Sequence, residues 1–349
     1  MTIILSNADV SELVTMPECI AVLEQAYRHL AAGNAIGAVS SEAVAPTAHP
    51  NSVYQLKSMS GVMPEMGVSA LRLSSDIISF ENNRQFKVPL APGARYTGLI
   101  LLFSTETGEP LAIFPDGILQ RMRVGATSAL GARYMARSDS HTVGLLGAGG
   151  QAGTQVKAIT STYDISSIKC YSPNQDKCKA LCEAMSLDSG VPIQLVQSPV
   201  LAVKNVDIVL CATNSSAHVF SAEWHEPGMH VGTIRGAELG PDVIRAADVV
   251  AIHDRRLHGG SVATKGIKLP ETWLSVAGMP ELDQAPTLAD LISGKAQGRK
   301  SPEEKSCFVN VIGIGLQFAA VGALFYRKAL ESGRGNEVPT DWLTEDVVP

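Results

Sequence analysis

The first part of the chain shows apolar spacing typical of one helix, followed by alternation typical of strands. Apolar residues recur at helical spacing from 20 to 30, directly after Thr15-Met16-Pro17-Glu18, which has the form of a capping box. Strand patterns then follow at 52–59, 68–74, 95–103 and 111–114. The last two are joined by a short turn and predict a hairpin. Consecutive strands without intervening helices predict a domain of the α+β type.

After residue 117 the pattern changes to alternating helices and strands. Helical spacing is found at 118–137, 151–160 and 175–185. Strand patterns are found at 141–146, 168–172, 207–212, 229–234 and 249–253. This alternation predicts a parallel sheet covered by helices. Residues 255–305 have no clear period and receive no assignment, whereas 316–330 predicts a long apolar helix.

Length and charge narrow the functional class. The chain has 349 residues, 45% of them hydrophobic, and a formal net charge of −6, which favours two folded domains and argues against nucleic-acid binding. No apolar run is long enough to cross a bilayer, and the first residues lack the pattern of a secretory signal. Six cysteines in so long a chain do not form a disulfide framework or a zinc motif. We therefore expect a cytoplasmic protein without metal, membrane or nucleic-acid partners.

The strongest local signal is a glycine-rich turn between a predicted strand and a predicted helix. Gly147-x-Gly149-x-x-Ala152 fits the dinucleotide-binding fingerprint, in which the glycines allow a tight turn and close approach of a pyrophosphate. Gly150 and Gln151 open the following helix, whose N-terminal N–H groups would face the phosphates. An alternative interpretation is a structural glycine turn in an α/β fold.

The end of the next strand bears on the choice of cofactor. An NAD site usually has an acidic residue there, which binds the ribose 2′-hydroxyl. This chain instead has Ser172 and Asn174, with Lys177 in the helix that follows. These residues favour NADP(H), with NAD(H) possible. They are also suited to capping the helix.

Residues at the ends of other predicted strands complete the expected cofactor site. Thr213 and Asn214 follow the strand 207–212, where parallel sheets bind ligands, although a capped turn explains them equally well. Ile234 ends the strand 229–234, and Thr127 lies in the helix that joins the two predicted domains. We predict that all four contact the cofactor.

Arg123 lies in the same joining helix, where the ligand cleft of a two-domain enzyme is expected. Arginine binds a carboxylate through two parallel hydrogen bonds, although an isolated arginine is more often a solvated surface group.

The run Met122-Arg123-x-x-Ala126-Thr127-Ser128-Ala129, followed by Gly147-Ala148-Gly149-x-Gln151-Ala152, resembles the ornithine cyclodeaminase/mu-crystallin family. Similar stretches are found at 96–99, 108–112 and 310–317. The resemblance implies an α/β fold in which a Rossmann dinucleotide-binding domain, residues 122–314, is inserted into an α+β domain. That second domain, residues 1–121 plus 315–349, would bind substrate and form a homodimer.

The resemblance also implies substrate residues. The family arginine that holds the substrate carboxylate falls on Arg123, and the family lysine falls, by register, on Arg72. Lys57, on the preceding strand, can supply an ammonium group in place of that lysine. Cyclodeaminases have an acid/base aspartate just before a Glu-Leu pair, whereas the segment 232–239 here is shorter and has no aspartate before Glu238.

These residues support three functional hypotheses. The first is an NAD(P)H-dependent oxidoreductase that reduces a small imino acid or interconverts amino and keto or imino acids. In it Arg123, Arg72 and Lys57 bind the carboxylate, and Lys57 delivers the proton. The second is a cyclodeaminase that uses bound NAD⁺, with Glu238 replacing the missing aspartate. The third is a carrier of NADPH or another ligand without catalysis.

Overall fold

The computed structural model describes residues 1–81, 84–255, 260–264, 280–311 and 313–347. The strands are β1 Thr2–Ile4, β2 Ile36–Gly37, β3 Ser41–Pro46, β4 Ser52–Met63, β5 Val68–Glu81, β6 Arg84–Val88, β7 Thr97–Ser104, β8 Pro110–Pro115, β9 Thr142–Leu146, β10 Ser167–Tyr171, β11 Ile193–Leu195, β12 Ile208–Cys211, β13 His230–Thr233, β14 Val249–Ile252, β15 Gly260–Ala263, β16 Ser306–Val309 and β17 Asn336–Val338. The helices are α1 Asn7–Val10, α2 Met16–Ala31, α3 Gly117–Met135, α4 Ala152–Thr160, α5 Gln175–Ser189, α6 Pro199–Val203, α7 Pro241–Ala246, α8 Pro280–Asp283, α9 Leu288–Ile292 and α10 Gly315–Ser332.

One sheet is parallel, with the strand order β11-β10-β9-β12-β13-β16-β14. The expected strands of the alternating region all lie in it, and β16, which the sequence did not reveal, is inserted between β13 and β14. Because every pair is parallel, the carboxyl ends of β9, β10, β12 and β13 lie at one edge. This edge is where such sheets bind ligands.

The other sheet is mixed, and its main path runs β15-β3-β4-β5-β7-β8-β1-β17. The predicted hairpin of β7 and β8 is confirmed, and the capping box before α2 is formed by Thr15 and Glu18. The strand β15, from a segment without a sequence assignment, pairs with β3 in this sheet and not in the parallel one.

Helix α3 connects the two sheets, and α10 packs on the mixed sheet and against α3. α3 packs against α2 and α10 on the mixed-sheet side, and against α4, β13 and β16 on the other. The expected combination of a Rossmann-like parallel sheet with an α+β unit is confirmed. The expected boundary at 121/122 falls inside the continuous helix α3, so the division into domains stays a prediction.

The two faces of the mixed sheet differ. α10 covers the face formed by Met59, Met63 and Ile100, all of which are buried. The opposite face keeps Leu56 and Leu99 exposed, at 41% and 38%. Among the described residues, none of the helices combines the length and apolar character that a bilayer crossing requires.

Candidate substrate and cofactor site

A pocket of about 270 Å³ lies over the α10-facing side of β4 and β5. Its lining is rich in charge: Gln55, Lys57, Met59, Arg72, Ser74, Asp76, Ile78, Gln85, Phe86, Lys87, Gln120, Arg123, Arg235 and Gly313. Lys57 pairs across the ladder with Ser74, and Met59 pairs with Arg72, so Lys57 and Arg72 are diagonal neighbours on one face. The structure thus brings together the three residues predicted to bind substrate.

Arg123 projects into this pocket from the second turn of α3 and is only 6% exposed. Its Nε and Nη2 atoms donate to Gln120 Oε1 at 3.2 and 2.9 Å, and Nη1 donates to Gln317 Oε1 at 3.0 Å. A Cβ on Gly313 would lie 2.1 Å from Nη1, so only glycine leaves room for the guanidinium. Burial, and then the charge of Arg72, lower the pKa of Arg123 to about 10. Arg123 is thus a buried cation held by neutral amides.

Arg72 is fixed by an ion pair. Its Nε and Nη2 atoms both contact Asp116 Oδ2, at 2.7 Å each, and both side chains are almost fully buried. Arg72 and Arg123 lie against the ring of Phe318, with guanidinium carbons 5.6 and 5.3 Å from its centroid. Cation–π contacts with the same Phe318 ring thus stabilise two neighbouring guanidinium groups of like charge.

Lys57 donates to Glu42 Oε1 at 2.7 Å. Burial is the largest influence on this lysine and lowers its pKa, Glu42 opposes that change, and Arg72 and Arg123 reinforce it. The two arginines therefore act on the pKa of Lys57 in the same direction as burial, which contributes more.

Three charged residues of the pocket, Asp76, Lys87 and Arg235, were not predicted from the sequence. Asp76 is buried, with Oδ2 2.6 Å from Lys87 Nζ, and its Oδ1 has no hydrogen-bond partner among the described residues. Arg235 reaches from the end of β13 to Gln85 Oε1 at 3.3 Å. The alternation of Arg72, Ser74 and Asp76 along one strand face could have revealed Asp76, since it places three polar residues on the buried side.

The glycine-rich turn lies at the carboxyl end of β9, as expected. Gly147 has φ 110°, a conformation that favours glycine, and its N–H donates to the carbonyl of Tyr171 at 2.8 Å. A Cβ on Gly149 or Gly150 would meet no atom within 4 Å, so the backbone there is open to a ligand. Gln151 is the N-cap residue of α4, which begins at the buried Ala152, and the N-terminus of this helix faces the turn. This geometry fits a dinucleotide pyrophosphate.

The ends of the neighbouring strands place the other predicted cofactor residues along the same edge. Ser172 follows β10, and Asn174 caps α5 by accepting from the Lys177 N–H at 2.9 Å. Both Asn174 and Lys177 are exposed. A contact of these side chains with an adenosine ribose stays a prediction.

Glu238 organises the loops after β12 and β13. It is fully buried, and its oxygens accept from four groups: Thr213 N at 2.6 Å, Thr233 Oγ1 at 2.6 Å, Ile234 N at 3.0 Å and Arg235 N at 3.0 Å. The loops of Thr213, Asn214 and Ile234 are thereby tied to one carboxylate. Burial raises the pKa of Glu238 although these bonds oppose it. Because both oxygens are engaged in the loops, the structure gives no support to Glu238 as an acid/base for the substrate.

Thr127 is buried beneath Arg123. Its hydroxyl donates to the Arg123 carbonyl at 2.7 Å and accepts from Gln317 Nε2 at 2.7 Å. Gln317 therefore links Thr127 to Arg123, and a cofactor contact for Thr127 stays a prediction.

A cluster of thiols lies beside the cofactor edge. The sulfurs of Cys170, Cys178 and Cys182 are within 4.8 Å of one another, between β10 and α5, and all three residues are buried. Cys178 and Cys182 lie one helical turn apart on α5, and Cys170 faces them from β10.

Comparison with known proteins places this geometry in context. The model of the ornithine cyclodeaminase/mu-crystallin family matches residues 1–333. The chain is 28% identical to alanine dehydrogenase of Archaeoglobus fulgidus, over 97% of this chain and 98% of that protein. A Thermococcus litoralis Delta(1)-pyrroline-2-carboxylate reductase, solved with NADH and L-proline, superposes with a TM-score of 0.78 at 25% identity, covering 97% of this chain and all of that one. An archaeal alanine dehydrogenase dimer with bound NAD gives a TM-score of 0.79 at 26% identity, covering 97% and 99%.

Proposed function

We propose that this chain, which belongs to the ornithine cyclodeaminase/mu-crystallin family and is an NAD(P)-dependent oxidoreductase of that family, reduces a small imino acid or catalyses the reverse oxidation of an amino acid. The observation that carries the proposal is the buried Arg123, bound only to neutral side chains in the described part of the pocket. A substrate carboxylate would supply the anion that this guanidinium lacks.

Different pocket residues bind the substrate carboxylate, accept a hydrogen bond from its nitrogen and donate the proton. Arg123 and Arg72 hold the carboxylate, and Phe318 keeps both guanidinium groups in place. Asp76 Oδ1 accepts a hydrogen bond from the substrate nitrogen, since its carboxylate has an unused oxygen. Lys57 protonates that nitrogen, because a lowered pKa makes its ammonium a stronger acid. When bound, the nicotinamide supplies the hydride to the imine carbon.

We further propose NADP(H) as the preferred cofactor, with NAD(H) as the alternative that the relatives bind. The support is local: Ser172, Asn174 and the exposed Lys177 stand where a carboxylate would select NAD. Ser172→Asp should reduce the ratio of kcat/KM for NADPH to that for NADH. An unchanged ratio would contradict this choice.

A cytoplasmic homodimer completes the proposal. An alanine dehydrogenase relative is a dimer, and the face of the mixed sheet opposite α10 exposes Leu56 and Leu99 here. A second copy covering that face would bury these leucines. A cytoplasmic location is supported by the cysteines, which are all free thiols.

Oxidation of NADPH or NADH, followed by absorbance, tests the function with a panel of cyclic and linear imino acids. Arg123→Gln should lower kcat/KM about 100-fold or more, because a charge-assisted pair is lost. Arg133→Gln makes the same charge change at an exposed position of α3 and serves as the control. Ornithine-dependent formation of proline and ammonia, without reductase activity, would favour the cyclodeaminase. Tight NADPH binding without either reaction would favour a carrier.

A further inference from the structure

The pocket holds more positive charge than one substrate carboxylate requires. Among its described lining residues, five are cations, and three of them already have a carboxylate partner. The pairs are Lys57 with Glu42, Arg72 with Asp116 and Lys87 with Asp76. The remaining two cations are Arg123 and Arg235, whose side chains bond only glutamine amides within the described part of the chain.

Such cations favour an anionic ligand. Removing a guanidinium from water is costly unless an anion compensates, and neutral amides do so only in part. Arg123 is almost fully buried, and Arg235 is half-buried, with its pKa lowered by burial although the nearby Glu238 carboxylate opposes that change. The chain as a whole has a net charge of −6, so the positive excess of the pocket is opposite in sign to the charge of the whole protein.

The two arginines approach from different walls. Arg123 comes from α3 and lies against Gly313. Arg235 comes from the turn after β13, where its N–H is held by Glu238 at 3.0 Å, and its side chain extends to Gln85 on β6. The pocket therefore offers two separate anion-binding points. A volume of about 270 Å³ restricts it to a small ligand.

We propose that the substrate is an imino dicarboxylic acid, with one carboxylate on Arg123 and the second on Arg235. This inference rests on the proposed reductase function and names its substrate class. Arg235 is then the residue that selects a second carboxylate, while Arg123 binds the carboxylate that every imino acid substrate has.

Reductive amination of paired 2-oxo acids by ammonium and NADPH tests the preference. Oxaloacetate and 2-oxoglutarate carry a second carboxylate, whereas pyruvate and 2-oxobutanoate do not. We expect Arg235→Gln to lower kcat/KM for the dicarboxylic substrates about 10- to 100-fold, the effect of losing one charge-assisted hydrogen bond, and to change the monocarboxylic values less than about two-fold. Arg121→Gln, an equal charge change at an exposed position of α3 outside the pocket, should affect neither class.

Calorimetric titration provides a readout without turnover. Succinate and glutarate should bind at least about 10-fold more tightly than butyrate and pentanoate, and Arg235→Gln should abolish the difference. Equal binding of the two sets, or a preference that survives Arg235→Gln, would overturn the inference even if imino acids are reduced. Absence of any reduction, with dicarboxylate binding that still depends on Arg235, would overturn the reductase function and leave the charge assignment standing.

Discussion

Replacing Asp116 with asparagine tests whether the pocket depends on a buried ion pair. Asparagine keeps the shape of the side chain but removes the charge opposite Arg72, which is 5% exposed. Both Arg72 contacts, Nε and Nη2 at 2.7 Å, go to the single oxygen Oδ2. The substituted amide would offer that guanidinium only a neutral oxygen.

The magnitude follows from those two contacts. A hydrogen bond between charged groups contributes about 1.5–3 kcal/mol and a neutral one about 0.5–1.5 kcal/mol. Two contacts that each weaken by this difference, in a buried site, predict a loss of about 2–3 kcal/mol in the free energy of unfolding. This range reaches the lower end of the roughly 3–5 kcal/mol typical of a broken buried pair. The lower end is appropriate because Arg72 also borders the pocket, where water can enter.

Urea unfolding followed by circular dichroism measures the change, which should appear in the midpoint and not in the slope. Glu183→Gln is the control, because its contact with Lys179 spans 4.0 Å with both side chains exposed, and it should change stability by less than about 0.5 kcal/mol. A loss below about 1 kcal/mol in Asp116→Asn would refute the argument that an uncompensated Arg72 is costly.

Three further predictions concern protonation, cofactor binding and assembly. The reductive kcat/KM should fall as pH rises through the lowered pKa of Lys57, because its ammonium is the acid, and Lys57→Met should remove this dependence from the pH profile. Glu238→Gln should weaken NADPH binding about 10-fold, measured by nucleotide fluorescence, because an amide cannot accept four hydrogen bonds; unchanged affinity would contradict its role in the loops. Leu99→Asp should convert a dimer to monomers in light scattering, and persistence of the dimer would exclude this face.

The elements that the sequence predicted well are those with local signals. The capping box of Thr15 begins α2 as expected, and the glycine pattern correctly placed a turn at Gly147 with positive φ. Strand pairing is not local, which is why β16 and its place between β13 and β14 were missed. The same applies to β15, whose partner β3 lies more than 200 residues earlier.

In the candidate site too, residues with a local sequence signal could be predicted, and residues that depend on contacts between elements could not. Arg123 and Arg72 could be predicted as pocket residues because a motif and a strand register mark them within single segments. Lys87 and Arg235 could not be predicted, because each is placed in the pocket by a contact with a residue on another element. Lys87 pairs with Asp76, and Arg235 donates to Gln85. For the same reason, the sequence pattern does not reveal Glu42 and Asp116, the carboxylates that pair with Lys57 and Arg72.

The bridge from Gln317 to Arg123 and Thr127 has a consequence for biosynthesis. It joins residues 194 and 190 positions apart, and Phe318 beside it supports Arg72 from still farther along the chain. Loop closure over such distances makes this contact set late to form. On the ribosome, the strands of the pocket emerge long before the helix that completes it. Nascent chains should therefore acquire the glycine turn before they acquire the ability to hold a carboxylate.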